Sequence, residues 1–515
     1  MKDAWAVFSK AYLRIDPRVL GLFRVAHGLV LFYDLARRSS VLESFYSNAG
    51  VLSNHYVLFR PQADFQFSLL TAFSTLSEVR FAFALIALVY ALYTLGLCTR
   101  LAQVLALVSL TSLNSRNLFL EDAGVSTLIL LGLWTIFLPV GARFSLDALR
   151  AEARAPTLAE RVRLRERSRS PVASLAVLAL NLQLLAIYWL NARQKVGPTW
   201  QHGEALHYVL WQQRVATDFA VWLAQHEPPW LSPAATHGAL FIEWLLPLLA
   251  LSPIGVWPRV LAFVLALALH GGVALLMTLG PFSYAMLALV MLRLPWEAFA
   301  AIARRVPRRL GVAVLRARAR LVRWLRASRF GRARRPLWQV DLSLLWRPPR
   351  EGLVAILMIA AVFDMSAHNP GFPVKLRPPR WARSVTGYPR ALQRWDMFAP
   401  DAPRDDGAGV IDALTASGRH VDPFTGLAPN FDVMERGPLP HGGIAADYLF
   451  SMHFDADSAY WPELRRYLAE WHEHGGRSAD DRLVKFELWW LSRQSPEPGS
   501  SVPGPVRRQL IRSGP

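Results

Sequence analysis

The chain has 515 residues, of which 53% are hydrophobic and only 18% charged, where a soluble chain usually carries about a quarter. That excludes a disordered chain, and the single cysteine, Cys98, excludes an intramolecular disulfide and a cysteine-based metal cluster. The net charge of +19 is local: residues 300–350 hold 15 arginines and one acid, Asp341, supplying +14 of it, so it reads as a basic loop between apolar segments and not as a nucleic-acid surface.

Taken in chain order, long apolar runs fall at 18–36, 80–98, 101–114, 123–140, 172–192, 234–252, 258–279, 281–294 and 352–367. Several reach the ~20 residues that a bilayer needs. The runs 101–114, 281–294 and 352–367 are short, which tilting or packing inside a bundle can accommodate. These are nine candidate spans. The first run starts late, is long and has no small-residue cleavage site after it, so it reads as an anchor that stays.

Charge orients the spans. Lys2, Lys10, Arg14 and Arg18 place the N-terminus inside. Loop 141–171, with eight arginines against four acids, and loop 295–351, with the 15 arginines, then also fall inside. Loops 37–79, 115–122 and 193–233 fall outside and have no large basic excess. The bias predicts an odd number of spans and an extracytoplasmic C-terminus. The Arg- and Ala-rich composition is that of a GC-rich bacterium, which makes the setting a multi-pass inner (plasma) membrane protein with a periplasmic or extracellular C-terminal domain.

Residues 368–515 differ, with 18 basic and 18 acidic residues and no long apolar run. Residues 409–414 and 485–490 alternate as strands do, and 459–475 read as an amphipathic helix. The expected architecture is therefore an α-helical polytopic membrane bundle of about nine spans over 1–367, then a small α+β domain over 368–495. The Pro/Gly/Ser-rich residues 496–515 are expected to be a disordered tail.

Five lysines occur: Lys2, Lys10, Lys195, Lys375 and Lys485. Lys195 is the only one between residues 11 and 374, and it follows the apolar run of the fifth span. Arginine stays protonated, whereas a desolvated lysine can release its proton and act as a base. The plain alternative is a lysine snorkelling at the interface. Charges inside a membrane are functional candidates by default. Arg24, His27 and Asp34 share one face of the first span, Glu243 lies mid-span ahead of Pro247, and His270 lies mid-span ahead of Gly271-Gly272. A polar seam between helices is the structural reading of the first group, and a hydrogen-bonded core residue that of His270. Asn114, Arg116 and Asn117 form a polar knot at the outer end of the third span, before Glu121-Asp122. Together with Lys195 they suggest one outward-facing polar cavity.

The segment 199–230 carries Trp200, Trp211, Trp222 and Trp230 and reads as interfacial. Its histidines, His202, His207 and His226, lack a metal spacing, so no metal site is expected. No Walker A, Rossmann or Gly-x-Ser-x-Gly pattern occurs.

The order and spacing of several segments resemble the HTTM family, the bacterial relatives of vitamin K-dependent γ-carboxylase. They are Asp16-Pro17-Arg18-Val19-Leu20-Gly21-Leu22-Phe23-Arg24, Asp34-Leu35, Asn48-Ala49-Gly50-Val51-Leu52, Asn114-Ser115-Arg116-Asn117 and Leu138-Pro139-Val140-Gly141-Ala142-Arg143-Phe144-Ser145. Gln194-Lys195-Val196-Gly197-Pro198-Thr199-Trp200 resembles the segment with the carboxylase's essential lysine. Trp395-Asp396-Met397-Phe398-Ala399-Pro400 and Pro403-Arg404 are similar to a motif of bacterial members. The resemblance covers about residues 12–300 and the tail in patches.

The resemblance implies a reduced membrane quinone, vitamin K- or menaquinol-like, as cofactor, with Lys195 as the base that deprotonates it and Trp200 beside it. Asn114, Arg116, Asn117, Arg24, Glu243 and His270 would support the cavity, and a protein or peptide acceptor would meet it on the outer face. Oxidation of the quinol would be coupled to carboxylation or oxygenation. One departure matters. The carboxylase has a functional histidine where this chain reads Glu121-Asp122-Ala123-Gly124-Val125. That tells against glutamate carboxylation more than against quinol chemistry. The alternative from another class is a non-catalytic membrane protein that binds a lipid or a partner. A transporter is a weaker third reading, since no inverted repeat is present.

Overall fold

The computed structural model describes residues 2–305, 307–328, 347–434, 443–453 and 459–514. Each of the nine apolar runs contains a helix. They are α1 (Pro17–Ser39), α2 (Leu76–Leu95), α3 (Thr99–Ser115), α4 (Ala123–Thr135), α6 (Leu175–Gln194), α7 (Leu231–Ala250), α8 (Trp257–Leu276), α9 (Phe282–Met291) and α12 (Arg347–His368). Between them lie α5 (Leu146–Arg154), α10 (Trp296–Arg305) and α11 (Arg308–Ala327).

Local chemistry sets the starts. The Asp16 carboxylate accepts from Arg18 N at 2.8 Å, with Pro17 in the first turn of α1. Thr75 and Glu78 form a reciprocal capping box on α2, and Asp122 caps α4 through Val125 N at 2.8 Å. Gly96, in the left-handed region at φ 69°, ends α2.

The count of nine spans is not confirmed by helix length and composition. Among the described residues six helices are long and apolar enough to cross a membrane: α1, α2, α6, α7, α8 and α12. A seventh exists only if α9 and α10, bent by 103° at their junction, count as one span. The physical reason is clearest for α4. Its 13 residues are buried on nearly every side, against α3, α6 and α9. A helix walled in by other helices is not measured against bilayer thickness. Across the bundle, α3 packs on α2, α2 on α1, α1 on α9, α9 on α8, α8 on α7, α7 on α6 and α6 on α12. The apolar window of α6 is 72% buried and that of α8 only 17%, so the lysine-bearing helix is central and α8 peripheral.

The C-terminal region carries a four-stranded antiparallel sheet. β3 (Asp405–Thr415) pairs with β4 (His420–Val421) and with β5 (Leu483–Gln494), and β5 pairs with β6 (Arg507–Gly514); β1 and β2 are the short pair Arg14–Ile15 and Val172–Ala173. The alternation at 409–414 and 485–490 falls inside β3 and β5. The helix expected at 459–475 is shorter, Trp461–Ala469, followed by a turn of 3-10 helix at Trp471–Glu473. Strand β6 overturns the expectation of a disordered end. Val506 packs against the cluster around Leu491, and the backbone of 507–514 completes an otherwise open edge.

The change of composition at 368 is not a boundary in packing. Residues 390–402 run back over the bundle, with Trp395 fully buried. Gln183 of α6 and Gln393 exchange amide hydrogen bonds of 2.8 and 2.9 Å. Phe45 stacks on Phe424, and Ser53 N donates to Glu463 at 2.6 Å, seating the sheet on the loops after α1. The sheet and the C-terminal end of α6 thus lie at one end of the bundle. The arginine-rich α5, α10 and α11 lie at the other. There Arg18 stands over the Trp296 ring and Arg318 pairs with Glu152. Residues 329–346 of the basic stretch, Asp341 among them, lie outside the described residues.

Candidate functional site

Lys195 terminates α6, its N–H bonding back to Ala192 O at 3.3 Å. The chain must turn there, because Gly197-Pro198 follow and Pro198 opens the short helix Pro198–Gln201. The lysine side chain turns back into the bundle. Its Nζ lies 2.6 Å from Glu243 Oε1 on α7, with the two side chains only 5% and 9% exposed. Asn191, one turn earlier on α6, donates to the same oxygen at 3.0 Å. The Trp200 ring covers the ammonium at 4.3 Å.

The Trp395–Pro400 segment holds this turn from behind. Gln194 Nε2 donates to Trp395 O at 2.7 Å, Trp200 Nε1 to Phe398 O at 2.8 Å and Gly197 N to Pro400 O at 2.8 Å. Thr199 bonds Asp401 through both its N–H and its hydroxyl. Residue 197 has to be glycine, since a Cβ there would come within 2.6 Å of the Asp401 carboxyl carbon.

His270 of α8 reaches the same place. Its Nε2 pairs with the Tyr188 hydroxyl at 2.7 Å, and it lies within electrostatic range of Lys195. The pair is incompletely satisfied. Glu243 Oε2, Asn191 Oδ1 and His270 Nδ1 are buried with no hydrogen-bond partner among the described residues. Trp189, Val196, Phe241 and Trp244 on the same segments are exposed on the bundle's apolar surface. The geometry is a buried lysine–carboxylate pair with unused polar atoms, one layer in from lipid-facing side chains. Such a pair can exist as ammonium and carboxylate or, with one proton moved, as amine and carboxylic acid.

Of the residues singled out in the sequence, the structure brings Lys195, Trp200 and Glu243 into contact, and His270 bonds to Tyr188 of the same helix α6. It does not bring the rest to them. Asn114 donates to Glu121 Oε1 at 2.6 Å, and Arg390 pairs with Glu121. Arg116, fully buried, donates to Ser47 O and Leu52 O at 3.2 and 2.8 Å, and Asn117 caps Phe119 N at 3.1 Å. This knot ties the loops after α1 and α3, and no hydrogen bond or ion pair joins it to Lys195 among the described residues. The single shared cavity is corrected to two separate groups.

Arg24 belongs to neither. It lies at the opposite end, donating to Val140 O at 3.1 Å and Arg143 O at 3.2 Å as a backbone clamp. His27 packs between Tyr93 OH and Leu128 O, each at 3.2 Å, and Asp34 pairs with Arg38 at 2.8 Å. His207 pairs with Glu227 at 2.7 Å and with Pro496 O at 2.9 Å. Burial pulls the His207 imidazole down, but those two hydrogen bonds raise it above its ordinary value. Among the described residues no cluster of three or more His, Cys, Asp or Glu side chains is placed to hold a metal ion.

Sequence reading missed Asn191, Tyr188 and the buttressing Gln194. A signal was present. Asn181, Gln183, Asn191 and Gln194 are polar residues on an otherwise apolar helix, and Tyr188, Asn191 and Lys195 recur at spacings of three and four.

A family model described as the HTTM domain matches residues 12–297, more than half of the chain. No curated protein and no solved structure matches it.

Proposed function

The chain belongs to the HTTM family and is a multi-pass membrane protein, and from that premise we propose that it oxidises a membrane quinol with Lys195 as general base and Glu243 as the base's proton store. One observation supports this reading above the others. The only lysine between residues 11 and 374 is buried against a carboxylate, 2.6 Å away, and Glu243 Oε2, Asn191 Oδ1 and His270 Nδ1 have no partner among the described residues. A pair kept only for stability needs its lone pairs and protons satisfied, since each unsatisfied buried group costs about 1–3 kcal/mol.

The residues fit a small aromatic diol. Glu243 Oε2, Asn191 Oδ1 and His270 Nδ1 offer hydrogen-bonding positions, and Trp200 offers a ring face. The quinol, when bound, would supply the hydroxyl proton and the electrons, and molecular oxygen would take the electrons up as the oxidant. The chain's own part is proton handling. Moving a proton from Lys195 Nζ to Glu243 leaves a neutral amine, and that amine accepts a proton from a hydroxyl held beside it. Trp200 and the Phe398–Pro400 backbone exclude water from the lysine's outer side.

The proposed orientation follows charge. The end with α5, α10 and α11 faces the cytoplasm and the sheet end faces outward. A protein or peptide acceptor would then reach the site from the sheet side. The missing carboxylase-type histidine makes oxygenation the favoured outcome over glutamate carboxylation.

The test is quinol turnover in lipid nanodiscs with reduced menaquinone, oxygen and bicarbonate, read by mass spectrometry for oxidised quinone products. Wild type should form product, Lys195→Ala should not, and Glu243→Gln should be slowed at least about tenfold, the size of a lost acid–base contribution. Equal background from all three, with quinol binding demonstrated, would leave the pair as a structural element of a non-catalytic lipid- or partner-binding protein.

A further inference from the structure

Helix α11, Arg308–Ala327, carries seven arginines and no acid. That composition forbids a span. Most of its side chains sort into three faces; Val312 and Leu315, also exposed, lie outside them. Arg318, Val322 and Leu325 lie along a seam, with Val322 and Leu325 buried and Arg318 paired with Glu152 of α5. Leu310, Val314, Ala317, Leu321 and Trp324 recur at spacings of four and three and form one stripe. Leu310, Val314 and Trp324 in it are 56%, 60% and 58% exposed. Arg309, Arg316, Arg320 and Arg323 form the stripe beside it, and none of the four has an ion-pair partner among the described residues.

The surroundings place this helix at the arginine-rich end of the bundle, packed on α5. It follows α10, which leaves the axis of α9 at 103°. Ile302 of α10, 63% exposed, continues the uncovered apolar surface. Three large apolar side chains in a row, left open beside four unpaired guanidiniums, at the end of a bundle that is itself embedded in lipid, match one environment. It is the boundary between acyl chains and acidic headgroups, where apolar side chains enter the leaflet and arginines reach phosphate.

We propose that α11 lies in the plane of the membrane on the arginine-rich end of the bundle and binds the acidic phospholipids of that leaflet. Leu310, Val314 and Trp324 enter the acyl region, and Arg309, Arg316, Arg320 and Arg323 hold the phosphates. The binding fixes the register of α5 and of the loop at 140–144 against α1, through Glu152 and the Arg24 clamp. This inference is independent of the lysine site.

The experiment uses the full chain with Cys98→Ser and a nitroxide attached at Val314→Cys or, separately, at Arg320→Cys. The protein is reconstituted in nanodiscs of phosphatidylcholine alone or with phosphatidylglycerol. Accessibility to oxygen and to a water-soluble nickel chelate is read by electron paramagnetic resonance. With phosphatidylglycerol, the label at 314 should be open to oxygen and shielded from nickel, and the label at 320 should be shielded less. The oxygen-to-nickel ratio at 314 should fall about threefold or more without the acidic lipid, at high salt, or with Arg309, Arg316, Arg320 and Arg323 changed to glutamine. A label at 314 that is nickel-accessible in both lipids overturns the proposal. So does one that is immobilised equally in both, which would mean a protein or a second copy covers the stripe. Should the four-arginine variant fail to fold, the lipid and salt comparisons on the unsubstituted arginines still decide it.

Discussion

Asp34 and Glu243 are both carboxylates buried in apolar helices, and they are treated in opposite ways. Asp34 accepts from Arg37 on one oxygen at 3.0 Å and from Arg38 on the other at 2.8 Å. Arg38 goes on to Tyr46 OH at 2.6 Å and Arg37 to Asp122 at 2.7 Å. Two acids face two arginines, and neither carboxylate oxygen of Asp34 is left over; the atoms without a partner among the described residues lie on the cations, Arg37 Nε and Arg38 Nη2. Glu243 has Lys195 and Asn191 on a single oxygen and nothing on the other. The cations differ as well. Arginine keeps its proton in any surroundings, whereas lysine can give its proton up. The Asp34 network is therefore a fixed fastener between α1, α4 and the following loop. The Lys195–Glu243 pair is where the proposed proton transfer would take place.

The comparison breaks most readily at Asp34. Asp34→Leu leaves Arg38 and Arg37 buried without their shared anion. It should cost about 3–5 kcal/mol and show as loss of monodisperse protein or a large drop in melting temperature. A melt indistinguishable from wild type would mean that the network is not a fastener. The lysine pair should respond the other way. The double variant Lys195→Met with Glu243→Leu removes both charges and the unsatisfied oxygen together. Its stability should be unchanged or higher by up to about 2 kcal/mol, while quinol turnover is lost. If this double variant melts as low as Asp34→Leu, the pair holds the bundle together and the contrast fails.

Much of this was open to reading from the sequence, and the failures have physical causes. Apolar length located all nine helices, because burial or lipid demands it at each. It did not fix how many of them cross a membrane, because α4 and α9 are apolar largely for contact with other helices. Lys195 stood out through its isolation among arginines. Its partner did not, since Glu243 is 48 residues away and only packing of α6 on α7 joins them. Arg24 was grouped with Asp34 because both lie on one helical face. Ten residues of helix rise about 15 Å, which puts them in different halves of a membrane. The strand at 507–514 was hidden because its residues are mostly exposed and three of the eight are arginine, and its edge position is supplied by β5.

Asp406 tests the same rule outside the membrane. It is buried in β3, its Oδ1 accepts from Gly407 N at 3.0 Å and its Oδ2 has no partner among the described residues. Burial raises its carboxyl to about 6, against the pull of the Gln213 hydrogen bond and Arg493. The folded state thus binds the proton more tightly than the unfolded one. Its stabilising contribution is complete below the ordinary value of 3.8 and is lost as pH rises through about 6. Asp406→Asn should therefore stabilise the sheet by about 1–2 kcal/mol at about pH 8 and by little at about pH 4, as read by hydrogen exchange of β3 and β5. Equal protection at both pH values would mean that a half-satisfied carboxylate carries no cost here, and would weaken the inference drawn from Glu243 Oε2.

The smallest effect is the most specific to the lysine site. Trp200 touches Lys195 only through its ring face, at 4.3 Å, while its Nε1 is spent on Phe398 O. Trp200→Phe keeps a ring over the ammonium and gives up the hydrogen bond. Trp200→Leu gives up both. A contact of this kind is worth about 0.5–2 kcal/mol, and it acts on the ammonium and not on the amine. Losing the ring face uncovers the lysine, so turnover should fall about twofold or more further in Trp200→Leu than in Trp200→Phe. Changing Tyr46→Phe beside Arg38, in the Asp34 network, should alter melting and leave turnover in place. Equal losses in the two tryptophan variants would assign the effect to the lost Phe398 hydrogen bond, and so to the shape of the turn and not to the ring over Lys195.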